Sequence, residues 1–197
     1  MPVLWRRVLI GVLSLVPLGI IIYKTLFDLL GADPAKEIVL FTGEWAIYFL
    51  FLTLAVTPLR RLVNFKNFHF RWLQTHRRML GLFAFFYALL HVAAFLVFIL
   101  GLDFSRFAKE LVERPYIAVT IPAIILLIVL GVTSTQSMMR RLGKNWIKLH
   151  KTIYLIGVLA WLHVFMQVRS SYFEAVLFGV ILAALLLPRL YRALRRP

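Results

Sequence analysis

Two apolar stretches with paired histidines decide the fold of this chain. They are LHKTIYLIGVLAWLHVFM (149–166) and THRRMLGLFAFFYALLHVAAF (75–95). The first contains His150 and His163, and the second contains His76 and His91. An imidazole in hydrocarbon costs free energy unless it is paired or bound to something, so histidines within a membrane span indicate a functional site. Only His69 lies outside these stretches, and its aromatic and basic surroundings indicate a residue at the membrane interface.

Composition places the protein in the membrane and removes several chemistries. Of its 197 residues, 62% are hydrophobic, well above the fraction of about one half that is usual in soluble domains. The chain has no cysteine, which excludes disulfides, thiolate metal sites, iron–sulfur clusters and covalently attached haem. No span has a central carboxylate, which counts against a proton- or sodium-coupled transporter.

Hydropathy predicts an all-α integral membrane protein with six spans in one domain over 1–197. Each apolar run approaches the roughly 20 residues that a helix needs to cross a bilayer. We expect Pro58 to end the second span, because proline cannot continue the helical hydrogen bonds. We also expect a short surface helix over 103–115. The predicted spans are 8–27, 38–59, 79–102, 116–132, 152–168 and 172–187.

The charges are distributed very unevenly between the two sides of this six-span arrangement. The N-terminus and the stretches 60–78, 140–151 and 189–196 hold 17 Lys and Arg residues and no acid. The other side holds six basic residues and all eight acids. Because short basic loops stay cytoplasmic, we expect both termini inside. The net charge of +15 therefore indicates topology and attraction to anionic lipid rather than nucleic-acid binding.

The depths of the four histidines match in pairs. His76 and His150 come just before their apolar runs, whereas His91 and His163 lie twelve and eleven residues in, at a depth of roughly 17 Å. Two imidazoles at equal depth on neighbouring helices suit the axial ligation of one haem. The alternatives for this deep pair are hydrogen-bonded core histidines or a proton relay. His76 and His150 are alternatively surface residues, and a solvated basic face is the simpler interpretation of His76.

Two further expectations concern geometry and charge near these histidines. Thirteen residues turn a straight helix about 140° away from its starting face, so a bend is needed if both histidines of one span are to face one side. Gly157 and Gly81 are the candidate positions for such bends. Four arginines could pair with haem propionates, although loops on the cytoplasmic side are basic in any case. They are Arg77, Arg78, Arg140 and Arg141.

Several segments resemble a known family of membrane proteins. They are GADPAKEIVLFTG (31–43), RRMLGL (77–82) and TSTQSMMRRLGKNWIKLHKTIYL (133–155). They are similar to the MsrQ family, the haem-binding membrane subunits of bacterial methionine-sulfoxide reductase systems, which are relatives of ferric-reductase-like transmembrane proteins. The resemblance implies that His91, His150 and His163 are linked to haem. It places Arg77 inside the family pattern and His76 outside it.

The resemblance also implies a function and partners. Such a protein passes electrons from the quinone pool or a flavin donor to a periplasmic molybdopterin subunit that repairs oxidised methionines, in the bacterial inner membrane. The implied cofactors are one or two b-type haems and an associated FMN, although the sequence has no glycine-rich phosphate loop for a flavin. The alternative is a non-redox transporter or assembly scaffold in which the histidines are structural.

Overall fold

The computed structural model describes residues 3–62, 71–168 and 171–195, and His69 lies outside these ranges. The described residues form nine α-helices and one π-helical segment, with no strand among them. The helices are α1 (Val3–Leu26), α2 (Pro34–Leu62), α3 (Arg71–Ala94), α4 (Phe104–Glu113), α5 (Pro115–Val132), α6 (Gln136–Leu142), α7 (Lys144–His150), α8 (Ile153–Gln167) and α9 (Phe173–Leu194). The π segment, Phe95–Ile99, continues α3.

Six stretches of this fold are long and apolar enough to cross a membrane, which confirms the expected all-α bundle of six spans. They are Leu4–Leu26, Pro34–Leu59, His76–Ile99, Pro115–Val132, Lys144–Gln167 and Phe173–Arg192. The fifth span consists of α7 and α8 in succession. The surface helix expected over 103–115 is present as α4.

Two helix pairs form the centre of the bundle. α2 packs along α3, and α5 packs along α8. Leu54 of α2, Tyr87 of α3 and Ile156 of α8 have no exposed surface and lie in one apolar core. α1 and α9 lie at the outside and expose large apolar side chains such as Leu13 and Val180. In a membrane these outward side chains face lipid rather than water.

Pro58 does not end the second helix, so that expectation was wrong. α2 runs through Pro58 to Leu62. A proline has no N–H, so the carbonyl of Leu54, four residues earlier, loses its partner within the helix. The guanidinium of Arg189 on α9 donates to that carbonyl from 2.6 Å, and Arg77 on α3 donates from 3.2 Å to the neighbouring carbonyl of Thr53. Arginine side chains of two other helices therefore donate hydrogen bonds to α2 carbonyls at the point where Pro58 removes a helical N–H.

A buried tyrosine connects α3 to the proline-containing part of α1. The Tyr87 hydroxyl donates to the carbonyl of Ser14 at 2.8 Å and accepts from the N–H of Leu18 at 3.2 Å. These two backbone groups are four residues apart, one turn of α1, and lie on either side of Pro17. Tyr87 also stacks on Phe49 of α2, with ring centroids 5.3 Å apart. Its position therefore joins three helices.

The two ends of the bundle differ in charge. We call the end with the start of α1, the end of α2, the start of α3, α6, α7 and the end of α9 the basic end, and the opposite end the acidic end. The ion pairs among the described residues all lie at the acidic end, and an example is Lys24–Glu37 at 2.8 Å between α1 and α2. There Asp103 caps α4 by accepting from the N–H and hydroxyl of Ser105, and the hydroxyl contact holds the pKa of Asp103 below its usual value.

Candidate functional site

His91 and His163 lie close together between the two central helix pairs. His91 lies on α3 and His163 on α8, and their ring centroids are 6.2 Å apart with the ring planes at 78°. A metal ion held between two imidazole nitrogens places the ring centres roughly 6–6.5 Å apart, given metal–nitrogen bonds of about 2 Å. The structure thus brings together the deep pair that the sequence singled out, at a spacing that suits a shared metal.

Backbone carbonyls fix the orientation of both rings. His91 Nδ1 lies 2.8 Å from the carbonyl oxygen of Val39 on α2, and His163 Nδ1 lies 2.9 Å from that of Tyr116 on α5. A carbonyl can only accept, so each Nδ1 carries the proton and donates it. The lone pair of each neutral ring is then on Nε2, the form in which histidine binds a metal. Each histidine is therefore oriented by a carbonyl of the helix packed against its own: His91 of α3 by α2, and His163 of α8 by α5.

A glycine allows His91 to approach α2. A Cβ atom at Gly43 would lie 2.9 Å from Nδ1 and 3.0 Å from Cε1 of His91, closer than real Cβ contacts. Gly43 is one turn beyond Val39, so the glycine and the carbonyl act on the same edge of the ring. No role was predicted for Gly43 from the sequence. A glycine within a predicted helix, here between Thr42 and Glu44, was the available signal for such a close approach.

The donor set fits haem better than a free metal ion. Structural zinc sites usually take four protein ligands. Across 3–62, 71–168 and 171–195, no three histidine, aspartate or glutamate residues cluster to hold a metal. Two neutral imidazoles 6.2 Å apart could supply two ligands to a haem iron, for which the porphyrin supplies the other four nitrogens. Both rings are partly shielded inside the bundle, as a hydrophobic cofactor requires.

His150 lies at the basic end with different partners. Its Nδ1 is 3.1 Å from the carbonyl of Trp146, and its Nε2 is 3.3 Å from the Ser134 hydroxyl. The ring stacks on Trp146 at a centroid distance of 3.9 Å. The Arg77 guanidinium, on α3, is near enough to interact electrostatically with this ring. The structure thus brings His150 and Arg77 into one neighbourhood, separate from the contacts of the deep pair.

The bends in the histidine-bearing spans are not at the glycines considered from sequence. In the fifth span, α7 ends at His150 and α8 begins at Ile153, and the N–H of Lys151 and that of Thr152 bond only three residues back. Gly157 lies within α8, where an added Cβ would meet Leu182 and Leu54 at 3.3 Å. α3 is continuous through Gly81, and the π segment begins at Phe95, beyond His91. A tight 3₁₀-type turn at 151–152 therefore separates the helices that carry His150 and His163.

His76 does not lie on a solvated face. Its exposed fraction is 2%, so the simpler interpretation from sequence was wrong. His76 instead lines a cavity at the basic end with Arg7 and Gln136. The basic THRR sequence suggested solvent exposure, but the helix turns the histidine inward and leaves Arg78 exposed. Arg78 donates to the sulfur of Met139 on α6 at 3.2 Å.

Comparison with known proteins identifies the family. The model of the ferric reductase like transmembrane component matches residues 42–161. The protein-methionine-sulfoxide reductase heme-binding subunit MsrQ of Herminiimonas arsenicoxydans is 46% identical over 183 residues, which cover 91% of this chain and 82% of that protein. The protein of the same name from Xanthomonas oryzae pv. oryzae (strain MAFF 311018) is 43% identical over 190 residues, covering 93% and 85% of the two chains. No solved structure matches the chain significantly. The chain belongs to the MsrQ family, within the ferric-reductase-like transmembrane proteins.

Proposed function

We propose that this protein is the haem b electron-transfer subunit of a methionine-sulfoxide reductase system in the bacterial inner membrane. His91 and His163 would hold its haem iron. The observation that supports this most strongly is the close pair of rings, 6.2 Å apart, each donating Nδ1–H to a carbonyl of the neighbouring helix. The names of the relatives, which describe heme-binding subunits, agree with it.

The chain's own residues would prepare the haem site in three ways. The carbonyls of Val39 and Tyr116 hold each ring in one tautomer and present Nε2 to the iron. Gly43 gives the His91 ring room against α2. The apolar surroundings exclude water and so limit the reorganisation that accompanies a change of charge. Bound haem would supply a one-electron couple, whereas the protein sets ligation and position.

The position of the deep pair supports electron transfer towards the acidic end. Val39 is near the start of α2 and Tyr116 is near the start of α5, and both helices begin at that end. With the basic end in the cytoplasm, as the charge asymmetry favours, the pair is close to the periplasmic face. We therefore infer that electrons from the quinone pool or a flavin donor leave there, to a periplasmic molybdopterin methionine-sulfoxide reductase.

We further propose that His150 serves a second haem or tunes the first. Its contact with Ser134, at 3.3 Å, is long for a hydrogen bond, so Nε2 could exchange it for iron. Arg77 lies in the same neighbourhood and, as a permanently charged guanidinium, suits a propionate better than iron. Haem-to-protein stoichiometry decides this point: a ratio near one that is unchanged in His150→Ala would exclude a second haem at His150.

An absorption spectrum of the purified protein tests the main proposal. His91→Ala and His163→Ala should each abolish the sharp α-band of reduced six-coordinate haem, because either change removes one axial ligand. His69→Ala is the matched control and should leave the band intact. Full low-spin haem in both variants would refute the ligand assignment. Absence of haem from the parent protein would instead favour a non-redox transporter or scaffold.

Electron delivery needs a separate experiment. The reduced protein in nanodiscs is mixed with the molybdopterin subunit and a methionine-sulfoxide substrate, and the haem spectrum is followed. Haem oxidation that requires both the molybdopterin subunit and the methionine sulfoxide supports the proposed electron acceptor. Haem that stays reduced, with no methionine formed, contradicts it.

A further inference from the structure

A cavity of about 320 Å³ opens at the basic end, away from the deep histidine pair. It is bounded by the first turns of α1, the start of α3 and the start of α6. Its lining residues are Arg7, His76, Arg78, Met79, Leu82 and Gln136. Nothing in the proposed electron-transfer function uses this cavity.

The charges around the cavity are of one sign. Arg7 and Arg78 both line it, and the basic-side stretches of the sequence contain no aspartate or glutamate. The ion pairs of the described residues all lie at the acidic end. Arg78 has a contact with the sulfur of Met139, but a thioether is a weak acceptor that carries no charge. Two guanidiniums at one cavity without a protein carboxylate favour an anion from outside the chain.

The shape of the cavity favours an anion that carries an apolar chain. Met79, next to Arg78 on α3, and Leu82, one turn beyond Arg78, form an apolar wall of the cavity. Leu82 keeps 37% of its surface exposed at the side of the bundle. The cavity therefore borders both the interfacial region, where the arginines are, and the surface that faces lipid tails. Guanidinium groups match phosphate oxygens in two-pronged geometry. Basic pockets between transmembrane helices are typical sites for anionic lipid headgroups.

We propose that this cavity binds the phosphodiester headgroup of an anionic phospholipid. Arg7 and Arg78 contact the phosphate oxygens, Gln136 donates its amide to the headgroup, and Met79 and Leu82 lie along the beginning of an acyl chain. The lipid would join α1 to α3 and α6. Since α1 lies at the outside of the bundle and exposes much of its apolar surface, this bridge would stabilise its position.

Lipid titration of the full-length, delipidated protein tests the proposal. Phosphatidylglycerol and phosphatidylcholine are added separately, and binding is measured by native mass spectrometry alongside the thermal unfolding midpoint. Phosphatidylglycerol should bind more tightly and raise the midpoint. The variant Arg7→Gln/Arg78→Gln should weaken phosphatidylglycerol binding by about tenfold or more, as expected for the loss of charge-assisted contacts to phosphate.

A matched control separates a built site from general charge attraction. Lys144→Gln/Lys148→Gln removes the same charge from the basic end, at α7 residues outside the cavity lining, and should change binding much less. Equal weakening in both double variants would overturn the proposal. If the arginine double variant does not fold, Arg7→Gln alone, at an exposed residue of α1, should still weaken binding several-fold relative to Lys144→Gln.

Inorganic phosphate distinguishes a lipid from a small anion. Millimolar phosphate should neither raise the unfolding midpoint as phosphatidylglycerol does nor displace that lipid, because it cannot contact the apolar wall. Phosphate that protects equally well, through the same arginines, would show a small-anion site and refute the lipid. Equal binding of the two lipids would refute it as well.

Discussion

The substitution Gly43→Ala tests how α2 supports the deep histidine pair. The added Cβ would lie 2.9 Å from Nδ1 and 3.0 Å from Cε1 of His91. Non-bonded carbon atoms prefer about 3.5–4.0 Å, so the ring must withdraw by roughly 0.5 Å or more. Because Val39 is one turn before Gly43 on the same helix, the ring would also withdraw from the Val39 carbonyl, now 2.8 Å from Nδ1.

The expected loss of haem affinity in Gly43→Ala follows from that lost hydrogen bond. A hydrogen bond between protein groups contributes about 0.5–1.5 kcal/mol to stability. Loss of a group that orients a metal-binding histidine usually costs about 10–100-fold in affinity. We therefore expect Gly43→Ala to fold, to lose haem about ten times faster or more, and to show a more positive haem midpoint potential, because His91 becomes a weaker donor to iron.

Haem transfer to apomyoglobin and a redox titration measure these two effects. Gly81→Ala is the matched control on α3, because its Cβ would meet Thr53 Cγ2 at 3.6 Å, an ordinary contact. The control should retain haem and potential. Unchanged haem loss and potential in Gly43→Ala would refute the role of the α2 backbone in orienting His91.

Three further predictions concern the bundle and its orientation. Tyr87→Phe removes two hydrogen bonds between the hydroxyl and the backbone of α1, and should lower stability by about 1–3 kcal/mol in thermal unfolding; an unchanged midpoint would contradict that role. Arg189→Met should destabilise by a similar amount, because the Leu54 carbonyl loses its donor. In a Pro58→Ala background Arg189→Met should destabilise less, because the N–H of residue 58 can then bond the Leu54 carbonyl. An equal loss of stability in that background would disprove the role of Arg189 as the replacement donor. A reporter active only in the periplasm, fused after Pro197, should be silent, and activity would reverse the proposed topology.

The features that could be predicted from sequence are those that depend on hydropathy and residue spacing within one helix. Hydropathy identified the six spans because each must cross about 30 Å of hydrocarbon by itself. Equal depth identified His91 and His163 because rise per residue is nearly constant in a helix. Prediction from sequence failed at Pro58 and His76, where partners from other helices decide the outcome. The donor to the Leu54 carbonyl, Arg189, lies far away in sequence, and the inward direction of His76 depends on how α3 packs.

The sequence by itself determined the membrane class, the number of spans, the charge asymmetry and the candidate ligands, since these depend on composition and spacing. Only the tertiary structure decided how far apart the two deep rings lie and which nitrogen of each is available. Those facts depend on carbonyls of neighbouring helices at Val39 and Tyr116 and on the space left by Gly43. Spacing along one helix specifies depth, whereas the direction of a side chain relative to another helix is set by the contacts between the two.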